Sequence, residues 1–335
     1  MHPAELLAHT LRLGGGLGPA RLAAGWREVP TAGLSRLVDF EGCALWLERR
    51  LRQIGANGLM ERVFATWLRQ RAHAAAAQNL LIDAQVTTVA RLLAEWGVPH
   101  VFLKGAARRT AGELYPFADA RATHDVDVLV PAGAARRVWD RLRAAGYQPA
   151  LRPGETPPGH HHLPALWDRS RVAVEVHYST APGVPPALAW DRSNLRASDI
   201  ERDGVRLRVP SATELLWGGL SHSLRHRANG FRLHFLLDGA AIWASGVPID
   251  WGEISRRVEA GECGRRADAG AWLGAAAWLG GPRQPRCGSA ELHDYDVAAA
   301  VRQRWTLLRY VAAQGRVGEL VCWWTSAWSR RSAHA

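Results

Sequence analysis

Asp125 and Asp127 stand one residue apart in the run Asp125-Val126-Asp127-Val128-Leu129-Val130. In an extended chain alternate residues project from one face, so the two carboxylates share a face and the three valines share the other. Two carboxylates aimed at one point are what a hard divalent cation, which takes oxygen ligands, requires. Glu175 and His177 repeat the spacing in Val174-Glu175-Val176-His177. Upstream lies Lys104-Gly105-Ala106, and Lys104 is the single lysine of a chain with 42 basic residues. Lysine is a compact, flexible point charge suited to a phosphate, whereas arginine is a planar fork. A third carboxylate from a neighbouring strand would complete a two-metal clamp, in which one ion acidifies an attacking hydroxyl and the other holds phosphate. Lys104 and the Gly105 backbone would then meet the phosphates, and Arg121 or Arg108 the developing charge. This set predicts in-line phosphoryl or nucleotidyl transfer.

Each residue also has a plainer reading. Asp125 and Asp127 sit in a strand otherwise built of Val and Leu, which favours ligation over a solvated edge. Glu175 reads either as the third carboxylate or as the polar face of a half-exposed hairpin strand. His177 reads either as a partner that orients a carboxylate or as a packed histidine. A solvated helix face accounts for Arg108 and Arg109. His160-His161-His162 cannot converge on one ion without unusual backbone, so the run reads as a mobile loop on the substrate side. His222 and His226 have helical i,i+4 spacing but no acid between them, so a zinc site is not expected, while His222 remains a candidate to line a pocket. Asp238, on an apolar helix, is expected to make a buried polar contact to the α/β core.

The elements that must position these groups can be read from periodicity. Ile82, Val86, Val89, Leu93 and Trp96 form one apolar stripe of a helix, which Gly97 caps and Pro99 stops. Val101-Phe102-Leu103 is a short strand running into Lys104, followed by a short helix that carries Arg108 and Arg109. Pro131 starts a helix with the stripe Ala135, Val138, Leu142 and Ala145, ended at Gly146, and Tyr147–Leu151 can form a strand. The stretch from Arg152 to His162 is a Pro-, Gly- and His-rich loop. Leu163–Trp167 and Arg171–Tyr178 form a hairpin around Asp168-Arg169-Ser170. Ser211-Ala212-Thr213-Glu214 is a capping box that opens a helix. The expected plan is a helical region over 1–97, an α/β core over 98–210 and a helical region over 211–335.

Composition bounds the rest. Hydrophobic residues are 47% and charged residues 22% of 335, enough apolar material for a packed core. The net charge of +11 favours anionic partners, although the dominance of arginine reads as GC-rich coding bias and no dense basic block marks a nucleic-acid surface. The four cysteines are far apart and form neither a zinc pattern nor a disulfide framework. No signal peptide is evident, and the longest apolar stretch, Ala271 to Gly281, is too short to span a bilayer, so a cytoplasmic protein is expected. Trp323, Trp324 and Trp328 beside Arg330 and Arg331 read as a Trp-rich core helix rather than an interfacial one.

The ordered set Leu103-Lys104-Gly105-Ala106-Ala107, Leu114-Tyr115-Pro116, Arg121, Asp125-Val126-Asp127-Val128-Leu129-Val130 and Val174-Glu175-Val176-His177 resembles the uncharacterised bacterial nucleotidyltransferase family. That family belongs to the DNA polymerase beta-type nucleotidyltransferase superfamily. The likeness extends from the Asn79–Pro99 helix to the helix with His222 and the segment Arg232 to Ala241, over roughly residues 75–245. It implies a mixed sheet with Asp125 and Asp127 as metal ligands, Glu175 as third carboxylate, Mg²⁺ as cofactor and a nucleoside triphosphate such as ATP as donor. The acceptor it implies is a small molecule, a peptide or a saccharide in a biosynthetic pathway. The superfamily's usual Gly-Ser, which grips the triphosphate, appears here as Lys104-Gly105-Ala106 with a longer gap and no hydroxyl at Ala106. Lys104 is left to replace that contact. The departure also leaves open a catalytically silent nucleotide-binding or scaffold protein of the same fold, and the charge leaves open an RNA or tRNA acceptor.

Overall fold

The structure, a computed structural model, describes residues 1–117, 119–149, 160–225, 231–281 and 296–303. Five helices precede the first strand: α1 (Pro3–Leu11), α2 (Pro19–Glu28), α3 (Leu34–Glu41), α4 (Ala44–Gln53) and α5 (Arg62–Glu95). The expected stripe of α5 is buried at Ile82, Val86, Val89 and Leu93. Its end is a Schellman cap: Gly97 takes φ 64°, its N–H donates to Ala94 O at 3.0 Å, and Val98 N–H donates to Leu93 O at 2.9 Å.

Next come β1 (Val101–Phe102), α6 (Lys104–Thr110), a 3-10 turn (Gly112–Leu114), β2 (Asp125–Leu129), α7 (Ala132–Ala144), β3 (Gln148–Pro149), β4 (Leu166–Trp167) and β5 (Ala173–His177). They form one five-stranded sheet in the order β1-β2-β5-β4-β3, mixed in direction because only β2 and β5 run parallel. The β4–β5 hairpin turns where expected, with the Asp168 carboxylate accepting from Val172 N–H at 2.8 Å. In α7 the expected stripe ends early: Ala145 is exposed, and Ala134 and Trp139 complete the buried face instead. Leu151 and residues 152–159 lie outside the described residues.

A second hairpin, β6 (Ser198–Arg202) with β7 (Val205–Val209), follows α8 (Pro186–Leu195) and was not expected from periodicity. Its two-residue loop Asp203-Gly204 has φ 52° and 70°, the doubly left-handed turn that matches the twist of a hairpin. Leu207 at its centre is fully buried, and β7 packs on α5 and β1.

The chain then returns to helices: α9 (Ala212–Arg225), α10 (Leu233–Ser245), α11 (Trp251–Glu259) and α12 (Arg266–Gly280). The capping box at α9 is only half made. Ser211 Oγ accepts from Glu214 N–H at 3.3 Å, but the Glu214 carboxylate turns to Arg257 Nη1, 2.9 Å away. The pair α10 and α12 packs closely because Gly239 lacks a side chain; a methyl there would lie 2.5 Å from the Trp272 ring. One contiguous apolar core runs from the N-terminal helices through the sheet to α12. No described helix is long and apolar enough to cross a membrane. Trp323, Trp324 and Trp328 fall outside the described residues, as do His226, Cys287 and Cys322.

Candidate active site

The site begins with register. In the parallel pair β2–β5, Asp127 lies opposite Glu175 and Leu129 opposite His177, so the polar faces of the two strands coincide on one side of the sheet. The other side is apolar, with Val126, Val128, Val174 and Val176 fully buried. That contrast fixes the register, since a slip of one residue would bury the acids among the valines.

Lys104 enters the same face from the end of β1. Leu103 N–H donates to Asp127 O at 2.9 Å, tying the strand end to the dyad, and Lys104 then adopts φ 44° as α6 starts. A non-glycine residue in this left-handed region costs about 1–3 kcal/mol and persists only where its surroundings hold it. What holds Lys104 is its ammonium: Nζ lies 2.6 Å from Asp127 Oδ1 and 3.8 Å from Glu175 Oε2. Gly105 lets Thr123 come against the backbone of α6, where a methyl would stand 2.6 Å from Thr123 Cγ2.

Asp127 is the centre of the cluster and is wholly buried. Its Oδ1 accepts from Lys104 and lies 2.8 Å from His177 Nε2, while its Oδ2 is buried with no hydrogen-bond partner among the described residues. His177 Nε2 is also 3.4 Å from Glu175 Oε2, and its Nδ1 lies 3.3 Å from the Ser179 carbonyl, which can only accept, so Nδ1 carries hydrogen. Ligand atoms of Asp127, Glu175 and His177 all fall within 4.8 Å of one another. A carboxylate oxygen left without a partner inside such a donor set fits a divalent cation. Asp125 is not in that tight group; it lines the neighbouring cleft.

The charges are strongly interdependent. Burial raises the Asp127 carboxyl, but the Lys104 ammonium and the His177 hydrogen bond outweigh it and hold the group below the usual range. The Asp125 carboxyl is pushed up to about 7, first by the Asp127 charge and then by burial. Burial lowers Lys104 and His177, yet the facing carboxylates win in both and raise them. Burial raises Glu175, but its hydrogen bond to His177 and the Lys104 charge bring it below its ordinary value.

Beside this cluster opens a cleft of about 600 Å³, bordered by α3, α4, α5, the start of α6, β2, α9 and α10. Lys104, Arg71, Arg108, Arg121 and Arg232 line it against Asp39, Asp125 and Asp238, and His222 lines it too, its ring edge-on to Phe235 at 5.0 Å. Asp238 makes the buried contact expected of it: its Oδ1 accepts from Tyr115 Oη at 2.8 Å and Arg121 Nε at 2.7 Å, and its Oδ2 faces Arg108 Nε at 3.6 Å. Arg121 is therefore held at the cleft from α10. The solvated-face reading of Arg108 and Arg109 is corrected, since the two are 4% and 8% exposed. Arg108 donates to Leu215 O at 2.8 Å and Arg109 pairs with Asp83 of α5, because α6 is wedged between α5 and α9 and has no outer face there.

The histidine run also differs from expectation. His162 forms a bridge to the backbone of His177, and the rings of His161 and His162 lie 5.1 and 4.9 Å from that of His177. His162 Nδ1 donates to its neighbour's carbonyl, Leu163 O, at 2.8 Å, and Nε2 is 3.8 Å from Glu175 Oε2. Burial, then the charge on His177, pushes His161 down to about 2. These residues wall one flank of the acidic cluster. Asn79 was unremarked as a site residue, yet its Nδ2 donates to Asp119 O at 2.9 Å and its Oδ1 accepts from Thr123 N–H at 3.2 Å, fixing the segment before Asp125. Its sequence signal was an Asn three residues before Ile82, in line with the apolar stripe of α5.

The structure thus sets an Asp–Glu–His group whose ligand atoms are close enough to share a metal ion beside a cleft lined by arginines. The chain belongs to the family described as uncharacterised nucleotidyltransferase, whose signature matches residues 30–280. Among solved structures it is similar to an antigenic nucleotidyltransferase-like protein from Paracoccidioides brasiliensis, at 16% identity over 50% of this chain and 77% of that one, with a TM-score of 0.37. No curated protein matches.

Proposed function

We propose that this protein is a Mg²⁺-dependent nucleotidyltransferase that moves a nucleoside monophosphate from a triphosphate to a small-molecule, peptide or saccharide acceptor, releasing pyrophosphate. The observation that carries the reading is the in-register pair Asp127 and Glu175, with one Asp127 oxygen unpartnered, beside a cleft lined by arginines. Asp125, Asp127 and Glu175 would hold the metal, and His177 would fix the orientation of Asp127 through its Nε2 contact at 2.8 Å. The chemistry a bound Mg²⁺ supplies is acidification of the acceptor hydroxyl and neutralisation of charge on the transferred phosphate. Lys104, the Gly105 backbone, Arg108 and Arg121 would face the phosphates, and Arg121 arrives already oriented by Asp238. In this reading the segment 98–210 is the catalytic core, and helices from 1–97 and 211–335 wall the cleft.

Lys104 also supports a second reading. A lysine ammonium on Asp127 supplies one of the charges a metal would bring, as in a silent nucleotide-binding or scaffold protein. One experiment separates the two. Binding of the four ribonucleoside triphosphates is measured by calorimetry with and without Mg²⁺, for wild type and an Asp125→Asn/Asp127→Asn double variant. The donor identified is then offered to acceptor panels. Metal-dependent binding that the variant loses, followed by pyrophosphate release, supports the transferase; binding without turnover supports the silent protein. No binding by folded wild type would end both readings.

A further inference from the structure

Lys104 combines three features: it is the chain's single lysine, it holds a left-handed backbone conformation, and its ammonium sits among the carboxylates rather than in open solvent. Its side chain is 30% exposed, while Asp127 beneath it is fully buried. Lys104 and Asp125 border the cleft, whereas Asp127 and Glu175 are not among its lining residues, so Lys104 is the link between the cleft and those two carboxylates. A divalent ion approaching from the cleft has Asp127 Oδ2 unpartnered, but it meets Oδ1 already occupied at 2.6 Å and a like charge 3.8 Å from Glu175 Oε2. Both effects oppose binding of the ion alone. Once a triphosphate lies in the cleft, the flexible lysine stem has an anionic partner within reach, and its departure leaves the carboxylates uncompensated for the ion to bind.

Resting on the nucleotidyltransferase reading, we propose that Lys104 is a resident counter-cation, which keeps divalent metal out of the Asp127–Glu175 cluster until a nucleotide's phosphates draw it away. Metal and nucleotide then bind with positive cooperativity, and by linkage each tightens the other by the same factor. The exchange requires no bond chemistry; one charge-assisted hydrogen bond is broken and another is formed. Lys104 is thus a specificity device in the empty site and a phosphate ligand in the filled one.

The test is Mn²⁺ binding followed by its electron paramagnetic resonance signal, for wild type and Lys104→Met, alone and with an α,β-methylene triphosphate analogue that cannot be turned over. Wild type is expected to bind Mn²⁺ weakly alone and at least tenfold more tightly with the analogue. Lys104→Met should bind Mn²⁺ alone about 10- to 100-fold more tightly than wild type, the equivalent of losing one charge-assisted hydrogen bond, and should lose the enhancement by nucleotide. Circular dichroism of both proteins confirms the fold. Equal or weaker Mn²⁺ binding by Lys104→Met overturns the counter-cation role while leaving the transferase reading intact. Failure of both proteins to bind Mn²⁺, with or without the analogue, overturns both.

Discussion

Replacing Asp238 with Asn tests whether the cleft's arginines are held in place by one buried charge. Asp238 is 1% exposed and meets Tyr115 Oη at 2.8 Å, Arg121 Nε at 2.7 Å and Arg108 Nε at 3.6 Å. Asn keeps the shape and one acceptor oxygen but removes the charge, leaving the buried Arg108 and the half-buried Arg121 guanidinium groups uncompensated. Breaking a buried ion pair from one side costs about 3–5 kcal/mol, against roughly 1 kcal/mol for a single neutral hydrogen bond. Tyr115→Phe, which deletes only the hydroxyl, is therefore the internal control. Urea unfolding at pH 7.5, followed by tryptophan fluorescence, should show Asp238→Asn losing several times as much stability as Tyr115→Phe. Adding Arg121→Met to Asp238→Asn should recover part of the loss, since it removes one stranded charge. Burial raises the Asp238 carboxyl, but Arg121 and Arg108 hold it below its ordinary value. Its contribution is thus present above about pH 4, the unfolded value, and is lost as pH falls through the lower folded one. If Asp238→Asn and Tyr115→Phe cost the same, within about 1 kcal/mol, the claim that a buried charge organises this wall is refuted.

Other perturbations reach neighbouring parts of the site. Gly105→Ala places a methyl 2.6 Å from Thr123 Cγ2, and Thr123 is 2% exposed with nowhere to move, so a loss of about 1–3 kcal/mol is expected in chemical denaturation. Thr123→Ser in the same chain should restore part of it. Asn79→Ala strands the buried Thr123 N–H and should cost about 1–3 kcal/mol, seen as a lower melting temperature, together with weaker nucleotide binding. In chelator, the protein should lose stability as pH rises from about 4 through 7. Asp125 is raised in the folded state from 3.8 to about 7, so the folded form binds the extra proton in that window and gives it up above it. Asp125→Asn should flatten that slope in urea midpoints taken at several pH values; an unchanged slope would mean that Asp125 is not the group responsible.

The parts of the site legible in the sequence are those set by local periodicity. Alternation at Asp125–Val130 and Val174–His177 put the acids on polar faces and the valines in the core, and the structure follows both. The α5 stripe with its Gly97 cap, the hairpin at Asp168 and the polar contact of Asp238 were legible for similar local reasons. The β6–β7 hairpin was missed although Asp203-Gly204 is a hairpin turn pair, because its short polar-faced strands carry little hydrophobic signal.

What the sequence could not supply is anything that depends on which elements become neighbours. Periodicity shows that two strands each have an acidic face, but not that they pair in parallel with Asp127 against Glu175; that choice belongs to the whole sheet. The burial of Arg108 and Arg109 likewise follows from α6 being wedged between α5 and α9, a packing that no stripe on a seven-residue helix announces. The position of the Lys104 ammonium is the clearest case. Its identity as the single lysine is plain from the sequence, and so was an expectation that it meets phosphate. Its contact with Asp127 arises because the β1 end, turned left-handed at Lys104, is hydrogen-bonded beside β2. Sequence alone determined which groups are ionisable and which face of each strand they take, because both are properties of the residue and its immediate neighbours. Only the tertiary structure decided which charges meet, because long-range pairing brings together residues 23 and 50 positions away from Asp127 and fixes the distances on which their electrostatics depend.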